Sequence, residues 1–493
     1  MAIAKATLAR LGRRWHRLLG WAGGAALILF GLSGLSHPLM TWFGPQQAVF
    51  FPPQGQFSSA DIAAIPQVLA ANGIDRPQLV KVVPTARGSM LQVTHDGGIQ
   101  RQYFSLADGR EYPGFDRRHG EWLARHYTGL ADTPIRAMTL QTTFDNAYPA
   151  VNRLLPVWRV DFDSDDNLTA FVHTELNALA SLTNDTRTLQ QTIFQTFHSW
   201  RWLDHVEPAR VAVLLVLATA LAAMCLTGMA MALTLPRRAL GGQRRWHRAL
   251  AYGLWLPLLA FALSGLFHLL HNAGGGGPQL LTYAAPVEIA GLGTATAPIE
   301  VPAERPLNSI TLVTGPGGRL LYRLDEPAGN PAHHVGHHAR FDGTPTSRPA
   351  RLVDAATGAP SPLTDEDLAR FFAATHLDLA PGRIEGSAIV TQFGPDYDFR
   401  NKRLPVWRVD HPGGTAFIDP ANGALVDHVD GADRLEGLSF SHLHKWNFLT
   451  PLTGRQIRDG LVSLVIVTAL GFALLGFALL LRKGRAPSGE RRG

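Results

Sequence analysis

"HRLLGWAGGAALILFGLSGLSH" (residues 16–37) and "HRALAYGLWLPLLAFALSGLFH" (residues 247–268) decide how this chain is read. Each is an apolar stretch closed by histidine at both ends, and in each the histidines stand 21 residues apart: His16 with His37, and His247 with His268. The echo starts earlier, in RRWHR at 13–17 and again at 244–248. A stretch of this length and polarity crosses a hydrocarbon core of about 30 Å as a helix. Twenty-one helical residues rise roughly 31 Å and come back to nearly the same face. One histidine then belongs to each end of each span.

Four stretches are free of Asp, Glu, Lys and Arg: 18–40, 211–235, 249–271 and 461–481. With their flanks they predict four membrane helices at 18–40, 208–235, 249–271 and 458–481. Three short segments outside them, 1–17, 236–248 and 482–493, hold 15 of the 45 Lys and Arg residues and a single acid, Glu490. By the positive-inside rule all three are cytoplasmic, and the chain is expected as a multi-pass protein of a bacterial inner membrane with both termini inside. The net charge of +6 is therefore a topology signal and no pointer to nucleic acid. The first span lacks a small-residue cleavage site and reads as an uncleaved anchor. The one cysteine, Cys225, lies within the second span, which excludes a disulfide framework, a thiolate metal site and covalent haem attachment.

Two long segments remain for the periplasm, 41–207 and 272–457. They also repeat: NRLLPVWRVDF (152–162) answers NKRLPVWRVDH (401–411), and TAFVHTELNALASL (169–182) answers TAFIDPANGALVDH (415–428). The latter pair reads as hairpins, with left-handed turn positions supplied by Asn177 in one copy and by Asn422-Gly423 in the other. RLVDAATGAP (351–360) is a hairpin of the same kind. The expected fold is thus a four-span α-helical membrane bundle carrying two α+β periplasmic domains. It is built as a tandem duplication about a pseudo-twofold axis along the membrane normal.

Such an axis places equivalent histidines at equal depth on facing helices. His16 and His247 meet at the cytoplasmic end, and His37 and His268 near the outer end. FHSWRWL (197–203) aligns with LHKWNFL (443–449), so His198 and His444 form a further pair just ahead of the second and fourth spans. Ionisable side chains in membrane spans are rare and tend to be functional; a lone interfacial histidine more often just anchors a helix end. Paired imidazoles on opposite helices with an apolar gap suit a non-covalent b-type haem better than zinc, which normally takes four protein ligands in a structural site. Two or more haems are expected, the inner on His16/His247 and the outer on His37/His268 or on His198/His444. Arginines beside His16 and His247 are placed to meet haem propionates.

The repeated histidine-plus-span pattern, with hairpins of VDAATG and IDPANG type, resembles PepSY-associated transmembrane proteins over nearly the full length. That resemblance implies two PepSY-like external domains and a link to iron uptake. The best understood members are haem-containing inner-membrane reductases of ferric siderophores. The family's histidines at the start of spans one and three map onto His16 and His247; those ahead of spans two and four map onto His198 and His444. The flavin domain of some relatives has no counterpart before Gly493, so the electron donor, cytoplasmic or membrane-borne, is not named by the sequence. The expected activity is transfer of electrons across the bilayer to a periplasmic ferric siderophore or other ferric chelate, with no individual catalytic residue assigned. HHVGHH (333–338) adds His333, His334, His337 and His338, a tract able to capture a metal, in a stretch whose glycine and prolines favour a loop. Two other readings compete. One is a membrane-anchored PepSY module that binds or regulates a protease, and the other is an iron-chelate permease.

Overall fold

Long helices form where the charge-free stretches stand, and each runs past its apolar residues. Arg10–Phe43, Arg201–Thr234, Gly242–Ala273 and Asn447–Leu481 are long and apolar enough to cross a membrane. The protein is described here by a computed structural model covering residues 2–234, 242–274, 281–293, 305–329, 344–380, 382–394 and 396–484, with 295, 297, 299 and 301. The HHVGHH tract, with His333, His334, His337 and His338, lies outside these residues.

The chain divides into two units, each assembled from separate stretches: 1–44, 186–277 and 432–493 in one, 45–185 and 278–431 in the other. The first unit is helical. Helix α1 (Ala2–Gly34) is continued after a break by α2 (Ser36–Phe43). The remaining long helices are α6 (Glu207–Thr234), α7 (Gly242–Ala273) and α10 (Thr450–Gly484). Helices α1 and α7 each pack against both α6 and α10, so α1 and α7 face each other across the bundle. The shared core uses small and aliphatic residues: Ala26 and Leu27, Ala222 and Cys225, Leu258 and Ala262, Ala469 and Ala473. Outward positions are larger and apolar, with Val216, Leu256, Leu464 and Leu474 all more than half exposed. Large apolar residues outside and small ones inside is the pattern of helices that associate in lipid, where close packing replaces the hydrophobic drive. Gly23 shows how close the approach is, since a Cβ there would stand 2.9 Å from the Ala220 carbonyl oxygen. Two shorter helices precede α6 and α10: α5 (Asp185–Phe197), and α9 (Gly431–Ser439), which runs on into a π-helical turn at Phe440–His444.

The second unit is α+β and antiparallel throughout. Each segment contributes a four-stranded sheet. The first has β4 (Ile135–Gln141), β5 (Val157–Phe162), β6 (Thr169–His173) and β7 (Ala178–Thr183); the second has β11 (Gly386–Val390), β12 (Val406–His411), β13 (Gly414–Asp419) and β14 (Ala424–Val429). Helix α4 (Phe115–Thr128) covers the first sheet with Leu123 and Tyr127, and α8 (Asp365–His376) covers the second with Leu368 and Phe372. The repeated tryptophans do the same work in each half: Trp158 donates to Asp116 at 2.8 Å and Trp407 to Asp365 at 3.0 Å. The hairpin turns carry positive φ at Asn177 and Gly423, as the turn chemistry requires.

The two segments do not stand as separate bodies. β1 (Leu79–Thr85), β2 (Gly88–Thr94) and β3 (Gln102–Ser105) join β8 (Ser309–Thr314), β9 (Leu320–Asp325) and β10 (Arg351–Asp354) in one six-stranded sheet, ordered β10-β9-β8-β1-β2-β3. The seam is the β1–β8 pair, with Lys81 opposite Thr311. One face of this sheet packs Val80, Val82, Leu91, Ile310 and Leu312 against α3 (Ser59–Ala71). The alternate residues of the same strands, among them Lys81, Gln92, Thr311 and Arg323, are buried too. Strands buried on both faces lose the plain polar–apolar alternation, so the sequence does not mark this sheet clearly.

Candidate bis-histidine centres

Histidines far apart in sequence meet inside the helical unit. His16 lies on α1 and His247 on α7, the two helices that face each other across the bundle, and their ring centroids are 6.4 Å apart with planes at 63°. His198, next after α5, and His444, the last residue of the π turn, are also 6.4 Å apart, with planes at 80°. Two imidazoles on opposite sides of one metal ion, each nitrogen at about 2.0 Å, have ring centroids about 6 Å apart. Both pairs have that spacing.

Each ring is held by neighbours that recur between the halves. Phe194 stacks on His198 at 4.7 Å and 15°, and Phe440 on His444 at 4.8 Å and 16°, in both cases from four residues upstream. Phe30 and Phe261 stand edge-on to the same two rings, each at 5.7 Å. Ser33 Oγ lies 3.2 Å from His198 Nδ1, and Ser264 Oγ lies 3.2 Å from His444 Nδ1. At the other pair, His16 Nδ1 donates to the Met224 carbonyl at 3.2 Å, with Thr227 Oγ1 at 3.4 Å. His247 instead stacks on Phe472 at 4.4 Å and 17°. Glycines face these rings: a Cβ on Gly228 would stand 3.0 Å from His16 Cε1, and one on Gly476 3.2 Å from His247 Cε1. The side-chain and backbone contacts of His16, His198 and His444 engage Nδ1, and a liganding imidazole in this setting would use Nε2.

His37 and His268 are not brought face to face as these pairs are. His37 is exposed and approaches Phe194 at 6.3 Å. His268 stacks on Phe440 at 4.2 Å and pairs with Glu436 at 2.5 Å. One turn further along α7, His271 pairs with Asp433 at 2.7 Å. Of the two outer pairings left open by the sequence, the structure assembles His198 with His444. Among the described residues no group of three or more His, Cys, Asp or Glu side chains is arranged to hold a metal ion. The two-imidazole pairs, with apolar walls, are thus the available liganding geometry.

The sequence had signals for part of this setting. The phenylalanine four residues before the histidine in FQTFH (194–198) and FSHLH (440–444) is legible as a repeat. The shared SGL at 33–35 and 264–266 is also legible. Glu436, Met224 and the facing Gly228 and Gly476 carry no such mark, because their partners lie on other helices. Compared with family models and with curated proteins, the chain matches none.

Proposed function

We propose that this chain is a b-type haem electron-transfer protein of a bacterial inner membrane, reducing ferric siderophores or other ferric chelates on the periplasmic side in iron uptake. The observation that carries this reading is the pair of bis-histidine centres: each takes one histidine from either half of the repeat, and each has its rings 6.4 Å apart. His16 and His247 would hold an inner haem and His198 and His444 an outer one, both without covalent attachment, since Cys225 is buried in the bundle core. A haem held by such histidine pairs would supply one-electron chemistry.

The chain's own residues do the rest. Phe194, Phe440 and Phe472 stack on His198, His444 and His247 and fix the planes of these imidazoles. Ser33 and Gly34 lie about 17 residues along α1 from His16, a helix rise of about 26 Å, so the outer centre sits deeper than one built on His37 would. Arg13, Arg14 and Arg17, with Arg244, Arg245 and Arg248, crowd the inner end, where basic side chains suit propionates and fit a cytoplasmic placement of the termini. Reduction serves iron release because a ferrous ion is softer and less highly charged, and oxygen-rich chelators hold it more weakly.

A pseudo-twofold axis relating two PepSY-like halves is part of the proposal. It is supported by the matched surroundings of His198 and His444 and by matched left-handed residues, Trp200 with Trp446 and Arg153 with Lys402. A permease is less favoured, because the core shared by the four long helices is built of small and aliphatic residues. A purely binding or protease-regulating module leaves the histidine pairs without a role.

The test is direct. Purified protein reduced with dithionite and freed of excess reductant is mixed with ferric citrate in the presence of a ferrous-specific dye. The reading expects ferrous iron to form in step with reoxidation of the protein. No ferrous iron from protein that does carry haem would contradict the assigned reaction.

A further inference from the structure

A serine hydroxyl stands against one ring nitrogen of each outer histidine. Ser33 is 1% exposed, and its hydroxyl donates to the Leu29 carbonyl four residues back at 2.7 Å. A second carbonyl, that of Phe30, lies farther off at 3.3 Å. Ser264 is also 1% exposed and donates to the Ala260 carbonyl at 2.7 Å, with the Phe261 carbonyl at 3.2 Å. This back-bond to residue i−4 is the usual resting place of a serine proton inside a helix. A hydroxyl has one proton and two lone pairs, so once its proton is committed it meets a third group only as an acceptor. The third group is Nδ1 of His198 in one half and of His444 in the other, each at 3.2 Å. Each Nδ1 must then carry a hydrogen, and in a neutral imidazole that leaves Nε2 bare.

We propose that Ser33 and Ser264 are positioning residues that fix His198 and His444 in the Nδ1–H tautomer, presenting two Nε2 lone pairs to one iron. The inference rests on the haem reading for its purpose, but the tautomer itself is a property of the chain alone. An acceptor on the far nitrogen also fixes ring orientation and raises the basicity of the liganding one. Phe194 and Phe440 hold the ring planes by stacking, and the serines set the rotation and the proton. Near burial keeps water from taking over the serine's place. The arrangement recurs in both halves, on residues 231 positions apart for the serines and 246 for the histidines, so two different helix junctions reach the same contact.

The experiment has two arms on the full-length protein in lipid nanodiscs. Histidine 15N NMR of the haem-free protein reads the tautomers, with His198→Gln and His444→Gln for assignment. A protonated Nδ1 and bare Nε2 at both residues is expected, with loss of that preference in Ser33→Ala and Ser264→Ala. In the second arm the haem-loaded variants are mixed with excess apomyoglobin, and haem release is followed beside the midpoint potential. Loss of such an outer partner typically costs 10–100-fold in metal affinity, so each alanine variant is expected to release the outer haem roughly tenfold faster or more. The potential should move upward, because a less basic imidazole stabilises ferric iron less. Ser33→Thr and Ser264→Thr keep the hydroxyl and should restore both values. A wild-type protein with the proton on Nε2, or alanine variants that match wild type in release and potential, would overturn the proposal. A wild-type protein that takes up no haem would instead remove the functional reading, leaving the tautomer to be decided by NMR alone.

Discussion

At the scale of single residues, the account depends on histidines that act in twos. His16 and His247 share one space, so His16→Ala and His247→Ala should each abolish the inner haem, and the double variant should lose little more. Such non-additivity is expected of groups that act as a unit, and haem per chain from the pyridine haemochrome measures it. Additive, partial losses would show that the two do not share an iron. The glycines make a sharper contrast. Gly228→Ala puts a methyl 3.0 Å from His16 Cε1, whereas Gly34→Ala puts one 3.6 Å from His198 Cε1, an ordinary contact. Gly228→Ala should therefore lower inner haem occupancy by at least half, while Gly34→Ala leaves the outer haem in place. Equal occupancy in both variants would mean that the inner ring has room to retreat.

Elements explain why one outer pairing forms and the other does not. His37 sits on the short α2 and His268 on α7, whereas His198 follows α5 and His444 closes the π turn after α9. A π-helical turn inserts an extra residue per turn and is frequent at functional sites. Equal spacing on the spans put His37 and His268 forward beside His198 and His444, and helix rise alone could not choose between the two pairings. The spans themselves were legible, since charge-free length is a one-dimensional property. So were the hairpins at Asn177 and Gly423. The six-stranded sheet was not: its seam pairs Val80–Val82 with Ile310–Leu312, more than two hundred residues apart, in strands too fully buried to alternate. The orientation of the spans can be checked with fused reporters. A fusion after Gly493 or within 237–245 should report a cytoplasmic position, and one at Gly109 or Gly358 a periplasmic one. A periplasmic signal from the C-terminus would break the four-span arrangement.

At the scale of the whole molecule, the α+β unit is expected to be sensitive to acid through its buried histidines. His119 is 1% exposed, and burial lowers its pKa to about 4, partly offset by its hydrogen bond to Asn177 at 2.8 Å. His173 is held well below the usual value by burial and then by the Arg101 guanidinium. A histidine whose folded pKa is depressed takes up its proton on unfolding first. Its contribution is therefore complete above the unfolded value of about 6.5 and is lost as pH falls toward the folded one. For His119 the full span is worth about 3 kcal/mol. Thermal unfolding of this unit, followed by tryptophan fluorescence, should shift to lower temperature between pH 6.5 and pH 4. His119→Gln should flatten part of that slope; an unchanged slope would assign the acid sensitivity to other groups.

The central claim is that paired imidazoles from the two halves of the chain hold haem. The visible spectrum of protein purified from haem-replete cells, oxidised and then reduced with dithionite, tests it most directly. The account predicts sharp low-spin b-type bands on reduction, about two haems per chain from two bis-imidazole centres, and complete extraction of the colour into acidified acetone. A colourless protein, or a high-spin spectrum showing an open axial position, would contradict it.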